Sequence, residues 1–366
     1  MATAIFLPNW IGDVVMATPT LRALRRRLGP EERIIGVMRP YVAEVLAGTS
    51  FLDEQLFYDP RSKNVDLHSR ALVHKLRAAQ LDTVVLLTNS LRTGVLAWLS
   101  GAKRRVGYAR SFRGPLLTDK LAPLTSGRTW YGAPRYTPSP VLDYYLELAY
   151  ALDCPPESPQ LELAVSPAER AAAERTWQTL GISADRPTIV FNSGGAFGSA
   201  KLWPNEYFAE LARRLVARTD ASILMLCGPA ERDVARDVVA QATNPRVVSL
   251  ADDRLAGQPL SIGLSKACVE RASLMVTTDS GPRHFAAAFH VPVVSLFGPT
   301  HIEWSENHQP EAVHLQKKLP CGPCQQRACP LGTHQCMRDL SVDEVERAAL
   351  KMLTRYVERM RSRISA

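Results

Sequence analysis

Residues 274–300 read L-M-V-T-T-D-S-G-P-R-H-F-A-A-A-F-H-V-P-V-V-S-L-F-G-P-T, which sets Asp279, Ser280 and Gly281 between an apolar run and an alanine-rich one. An acid, a hydroxyl and a glycine where a strand gives way to a helix suit an anionic ligand. Unpaired N–H groups and the helix dipole favour a pyrophosphate there, and Gly281 lets it approach the backbone. His284 lies about one helical turn further in. The same residues also serve an ordinary strand-to-helix turn, with Asp or Ser as the cap and Pro282 in the first turn. A second loop, N-S-G-G-A-F-G-S-A-K at 192–201, ends in Lys201, a point charge suited to a phosphate. It fits neither the dinucleotide fingerprint nor the P-loop. Both loops follow strands of one half of the chain, so both would face the carboxyl edge of one sheet.

Three further clusters carry chemistry. Asp13, in the turn N-W-I-G-D, could act as a general base or simply favour a helix N-terminus. Arg104, Arg105, Arg110 and Arg113 are interleaved with glycines and Tyr108, a composition that suits phosphate or carboxylate binding and equally a solvated loop. Cys321, Cys324, Cys329 and Cys336, with His334 among them, have spacings that suit a small structural zinc site; free thiols or a disulfide pair remain open.

The elements that must position these groups alternate. Residues 4–8 predict a strand, 14–28 a helix, 34–38 a strand, 42–47 a helix, 67–80 an amphipathic helix, 83–87 a strand and 91–99 a helix. Residues 123–140, rich in Pro, Gly, Ser and Thr, read as a long surface loop, and 141–152 as a helix. A Pro-rich break at 154–159 marks a boundary near 155–185. A second alternation follows, with strands at 188–191, 222–227, 274–278 and 291–297 and helices at 206–218, 231–240 and 260–271. Strands alternating with helices predict an α/β fold with parallel, doubly wound sheets, one in each half. Residues 342–360 read as a closing surface helix.

At 366 residues the chain exceeds a single core. Apolar content of 46% and charged content of 22% fit a soluble globular protein, and no apolar run is long enough to span a bilayer. The first fifteen residues, interrupted by Asp13, read as a first strand instead of a signal peptide. A net charge of +8 implies an anionic partner: nucleic acid, a membrane surface or a phosphorylated substrate. No zinc-finger or RNA-binding motif favours nucleic acid. Seven cysteines, three of them scattered singly, point to a reducing cytosol.

In order, P-N-W-I-G-D-V-V-M-A at 8–17, L-T-N-S-L-R-T at 87–93, R-R-V-G-Y at 104–108, F-G-S-A-K-L-W-P at 197–204, T-D-S-G-P-R-H-F-A-A-A at 278–288 and F-G-P-T at 297–300 resemble the ADP-heptose:lipopolysaccharide heptosyltransferases, glycosyltransferase family 9. The pattern C-P-L-G-T-H-Q-C at 329–336 resembles the second heptosyltransferase more than the first. The resemblance spans nearly the whole chain and implies a GT-B architecture, two Rossmann-like domains facing across a cleft. Residues 1–165 would hold a lipid A–core acceptor, with the helix at 345–366 packing back on them, and residues 166–344 would hold ADP-heptose. It implies inverting transfer without a catalytic metal, with Asp13 as base and Lys201, Asp279, Ser280, Gly281 and His284 at the donor. Glu231, in G-P-A-E-R, would reach the ribose. The arginines Arg104, Arg105, Arg110 and Arg113 would meet the acceptor's phosphates or acidic sugars at the inner face of the cytoplasmic membrane. The chain departs from the family at Asn192 to Ala196 in place of P-G-A-E, at Leu202 after the lysine, and after Thr300, which bears on the donor sugar and acceptor. A GT-B transferase for another nucleotide sugar, and a non-catalytic nucleotide-binding module, are the alternatives.

Overall fold

The computed structural model describes residues 2–129, 132–195 and 197–364; Met1, Trp130, Tyr131, Ser365, Ala366 and Ala196 of the glycine-rich loop lie outside the described residues. Two compact units divide the chain: Met1–Ala164 with Glu303–Asn307, and Val165–Ile302 with His308–Ala366. The first is built on β1 (Ala2–Phe6), β2 (Arg33–Met38), β3 (Glu54–Phe57), β4 (Thr83–Leu86), β5 (Arg104–Tyr108) and β6 (Asp119–Leu121). Every pairing among them is parallel, in the order β3-β2-β1-β4-β5-β6. The central strands are buried along their length, and Ala4, Phe6, Val84 and Leu86 share one apolar cluster with Leu72 and Leu76. Such continuous apolar runs are what a parallel sheet covered on both faces requires.

The helices of this unit are α1 (Ile11–Met16), α2 (Thr18–Leu28), α3 (Ser69–Ala78), α4 (Leu91–Leu99) and α5 (Val141–Tyr150). The single helix expected over 14–28 is two. Pro19 sits in the first turn of α2 and lacks the N–H that a continuous helix would need, so the chain breaks at Ala17. The loop expected at 123–140 carries a small antiparallel hairpin, β7 (Thr125–Arg128) and β8 (Pro134–Tyr136). The arginine cluster, open as a loop in the sequence, begins inside strand β5.

The second unit repeats the topology. Its strands are β9 (Thr188–Asn192), β10 (Ser222–Leu226), β11 (Val247–Ser249), β12 (Leu274–Thr278), β13 (Val293–Phe297) and β14 (Ala312–Gln316), all parallel in the order β11-β10-β9-β12-β13-β14. Its helices are α6 (Pro167–Leu180), α7 (Asn205–Arg218), α8 (Arg232–Ala242), α9 (Ile262–Glu270), α10 (Arg283–Ala288), α11 (Gln335–Arg338) and α12 (Val342–Ile364). Helix α6 falls within the stretch read as a boundary; a Ser166–Glu169 capping box starts it and Gly181, at φ 71°, ends it. Helix α12, expected to return to the first half, packs on α7, β12 and β13 of the second. Its buried Glu346 pairs with Arg214 and Arg218 of α7, as a carboxylate out of water must.

Candidate functional site

In both sheets the strand order reverses beside the first strand, between β1 and β4 and between β9 and β12. Ligands of open α/β sheets bind beyond the carboxyl ends of the strands at such a point. In the second unit the two loops noticed in the sequence meet there. Asn192, the last residue of β9, directs its side-chain amide to Ser280 Oγ at 2.8 Å, Thr277 Oγ1 at 3.1 Å and the Gly194 carbonyl at 3.3 Å. Thr278 Oγ1 donates to the same carbonyl at 2.9 Å, so the glycine-rich loop is tied to the end of β12.

Lys201 closes the other side. Its ammonium donates to Asp279 Oδ2 at 2.5 Å and to the Asp279 carbonyl at 3.1 Å, and Thr300 Oγ1 donates to Asp279 Oδ2 at 2.6 Å. Burial pushes the Asp279 carboxyl up, but the charges of Lys201 and Arg283 and the hydrogen bonds from Lys201 and Thr300 outweigh it and hold it below its usual value. The carboxylate therefore stays charged and fixes the lysine. Phe197 lies under the ammonium, 4.5 Å from Nζ to the ring centre. Glu231 accepts from the Gly228 N–H at 2.8 Å and lies against Gly194, where an added Cβ would meet its Oε1 at 1.8 Å. Only glycine leaves that carboxylate in place.

The turn at 279–282 differs from the expected cradle. Pro282 occupies the N-cap of α10 and makes no side-chain cap; the Ser280 hydroxyl instead meets Asn192 and Thr277. The N–H groups of Arg283, His284 and Phe285 are taken by the carbonyls of residues 280–282. Side chains, more than helix N–H groups, thus present the polar surface. Gly281 and Ser280 are partly accessible, while His284 is buried, and burial followed by the Arg283 charge pushes its pKa well below the ordinary value. A neutral imidazole results. Thr300 and Asn192 were not singled out as site residues; their positions at the ends of β13 and β9 were the available signal.

The first unit has its own pocket at its reversal point, a cleft of about 480 Å³ lined by residues of the β1–α1 turn and of the segment between β4 and α4. Asp13 lines it from the first turn of α1, with Trp10 in the N-cap position. Across it stand Asn89, Ser90 and Arg92, and Tyr145 from α5. Tyr145 is buried, and burial with the nearby Asp13 charge drives its phenol well above its ordinary value, so it stays protonated beside the acid. A carboxylate lining a polar cleft at a strand end is placed to accept a proton.

The arginines serve the fold, and only Arg113 touches residues that line this pocket. Arg104 pairs with Asp119 at 2.8 Å and donates to the Ala151 carbonyl, and Arg105 donates to the carbonyls of Leu116 and Ala102. Arg113 is wholly buried, donating to the carbonyls of Tyr108 and Thr88 and to Asn89 Oδ1. Burial lowers its pKa to about 10, which leaves it charged at neutral pH. Arg110 lies over the Tyr136 ring at 3.6 Å. These four are not gathered into one open cluster in the way their sequence spacing suggested.

The four cysteines at 321–336 ring a small cavity of about 30 Å³ with Gly298 and Pro299. Among the described residues no group of three or more His, Cys, Asp or Glu side chains is arranged to hold a metal ion. The thiols nonetheless sense one another: burial and the charges of Cys324, Cys329 and Cys321 raise the pKa of Cys336. Backbone hydrogen bonds, first from His334, lower that of Cys329. The segment also grips the loops that carry Lys201 and Thr300. Ala200 N donates to the Arg327 carbonyl at 3.0 Å, and Gln325 N donates to the Pro299 carbonyl at 2.8 Å.

A sequence model of glycosyltransferase family 9 (heptosyltransferase) matches residues 69–335. Lipopolysaccharide heptosyltransferase 2 of Escherichia coli (strain K12) is 27% identical over 326 residues, covering 86% of this chain and 88% of that protein. The solved structure of E. coli ADP-heptose lps heptosyltransferase II superposes with a TM-score of 0.75 at 23% identity, covering 97% of this chain and 99% of that one. A glycosyl transferase family 9 structure from Veillonella parvula DSM 2008 gives a TM-score of 0.79 at 23% identity, with 97% of each chain covered.

Proposed function

Because the chain belongs to glycosyltransferase family 9, the heptosyltransferases, we propose that it transfers heptose from ADP-heptose to a hydroxyl of the lipopolysaccharide inner core. The second unit takes ADP. Two of the three Lys201 N–H donors lie on Asp279, and the third is assigned to the pyrophosphate. Ser280 and Gly281 line the approach, and Glu231, held by Gly228, takes the ribose. The first unit takes the acceptor. Asp13 accepts the proton of the attacking hydroxyl as its oxygen bonds to the anomeric carbon, and the bond from that carbon to the ADP phosphate breaks with inversion. Lys201 stabilises the charge that develops on the departing diphosphate. No residue in this scheme calls for a catalytic metal.

The single observation that carries this reading is the pair of polar sites at equivalent strand ends, one built around a cation and one around a carboxylate. The test is Asp13→Asn. It should lower turnover by roughly a hundredfold or more and leave ADP affinity nearly unchanged. Near-normal turnover would remove Asp13 from the mechanism, and a panel of nucleotide sugars would expose a different donor.

Two further parts belong to the same reading. Cys321, Cys324, Cys329 and Cys336 are assigned one structural zinc: four thiols line one cavity and are the donor set such an ion takes, and binding would draw them into the closed arrangement they lack in this structure. The acceptor is lipid-anchored, and among the described residues no helix is long and apolar enough to cross a membrane. On this reading the protein works from the cytoplasmic membrane's inner face by peripheral contact with anionic lipid.

A further inference from the structure

Helix α4 is amphipathic in an unusual sense. Thr93, Gly94, Leu96 and Ala97 are buried, as the inner face of a sheet-covering helix should be. Yet the outer face is also apolar: Leu91 is 45% exposed, Val95 36% and Trp98 55%. Spacings of four and three residues stack these side chains along one stripe. A helix covering a sheet ordinarily turns polar residues to water.

Beside this stripe stands a second exposed apolar group. A Cβ placed on Gly94 would lie 3.0 Å from Arg113 Cβ, so the turn at 110–113 packs against the helix. The residue before that arginine, Phe112, is 96% exposed. Ser111 and Phe112 adopt φ of 51° and 61°, a region a bulky residue seldom enters. The turn is held there from beneath. Arg113, wholly buried, bonds the Tyr108 carbonyl and Asn89, and its N–H closes on the Arg110 carbonyl. A phenyl ring kept outside by a buried anchor has an occupant in view.

Charge identifies that occupant. Residues 91–140 contain nine Lys and Arg against one acid, Asp119, so this stretch accounts for the whole net charge of +8; Arg104, Arg105 and Arg113 are engaged within the fold, and Arg92, Lys103, Lys120, Arg128 and Arg135 are exposed. Arg77 ties its guanidinium to the Leu99 carbonyl at the end of α4, and Lys103, its side chain 84% exposed and paired with Asp82 at 3.2 Å, follows shortly after. The first turn of α4 also supplies Arg92 and Thr93 to the cleft that holds Asp13. Apolar stripe, basic surroundings and acceptor pocket are therefore contiguous.

We propose that the outer face of α4 and the Phe112 turn form the surface by which this protein docks on an anionic lipid bilayer. The proposal rests on the reading of a lipid-anchored acceptor and says where the membrane lies. Trp98 and Phe112 enter the interfacial layer, where aromatic rings are favoured, and the surrounding Lys and Arg meet lipid phosphates. An exposed helix face offers no enclosure for a single acyl chain, and its basic surroundings disfavour a second copy of the same face.

The full-length protein should sediment with vesicles of phosphatidylcholine and phosphatidylglycerol, should not with phosphatidylcholine alone, and should be released by high salt. Trp98→Ser and Phe112→Ser, at exposed positions that leave the core intact, should each weaken vesicle binding about fivefold or more. Both should retain wild-type ADP affinity and turnover on a delipidated acceptor, while turnover on acceptor in vesicles falls. Unchanged vesicle binding in both variants would overturn the proposal. So would a change of oligomeric state without loss of vesicle binding, which assigns the face to a second copy. Binding only to vesicles that contain the acceptor would assign it to the acceptor's own acyl chains, and also overturns it. Failure of the wild type to transfer sugar to the delipidated acceptor would instead refute the proposed reaction, and vesicle binding would still be readable.

Discussion

Lys201 and Asp279 have side chains only 10% and 8% exposed, so each charge has left most of its water and depends on the other. Removing one partner from such a pair typically costs about 3–5 kcal/mol, because the survivor stays buried and uncompensated. Lys201→Ala and Asp279→Ala should each destabilise the fold by about that amount in urea titrations, and the double variant should lose less than the sum. Additive losses would mean that the ion pair contributes little. Protonation gives a second residue-scale test. Asp279, held below its usual value, adds stability above the unfolded carboxyl pKa of about 4 that is lost as pH falls through its lower native one. His284 is also depressed, by burial and by Arg283. The unfolded chain protonates this histidine near pH 6.5, about where its penalty begins, and the native state resists down to its lower pKa. Stability should therefore fall as pH drops below about 6.5, and His284→Gln should flatten that part of a Tm-against-pH curve. An identical slope in the variant would show that His284 does not titrate differently on folding.

At the scale of elements, the cysteine segment is more than an appendage to α11. Its Arg327 carbonyl holds Ala200, next to Lys201, and a Cβ at Gly198 would stand 2.3 Å from the same carbonyl oxygen. Its Gln325 N–H holds Pro299, next to Thr300, which bonds Asp279. The segment thus braces the loop that carries Lys201 and the loop whose Thr300 holds its partner Asp279. Protein purified under reducing conditions should contain about one zinc per chain by elemental analysis. Chelation should lower Tm and weaken ADP binding together, since metal binding to such a site is folding free energy. Metal-free protein with unchanged melting and ADP affinity would leave the thiols without this role.

At the scale of the molecule, each unit has its own six-stranded parallel sheet and its own buried core. The groups assigned to ADP, Lys201, Ser280, Gly281 and Glu231, all lie in the second. A fragment of residues 165–366 should fold and bind ADP by calorimetry with an affinity near that of the whole chain. Within it, Lys201→Ala should cost roughly ten- to a hundredfold in affinity. A folded fragment that fails to bind would place part of the nucleotide site in the first unit.

The sequence by itself determined the α/β class, since buried parallel strands must be written as apolar runs: 274–278 falls where expected, and the run expected at 291–297 forms a strand from Val293. It also located Asp13, the glycine-rich loop and the Asp279 turn, because strand-to-helix turns are marked by Gly, Ser, Asp and Pro at short range. Short, polar or half-exposed strands were not legible: β3, β6 and β14 carry no strong period, and β5 begins with two arginines. Nor were the partners of charged side chains. Arginines 104, 105 and 113 look alike on paper, yet one pairs with Asp119, one binds backbone carbonyls and one is buried under a turn. Only the tertiary structure decided that Asn192 and Thr300, more than a hundred residues apart, stand on either side of Asp279 and Ser280. The reason is strand order: putting β9 beside β12 brings distant loop ends together, and a sequence does not state which strands will be neighbours.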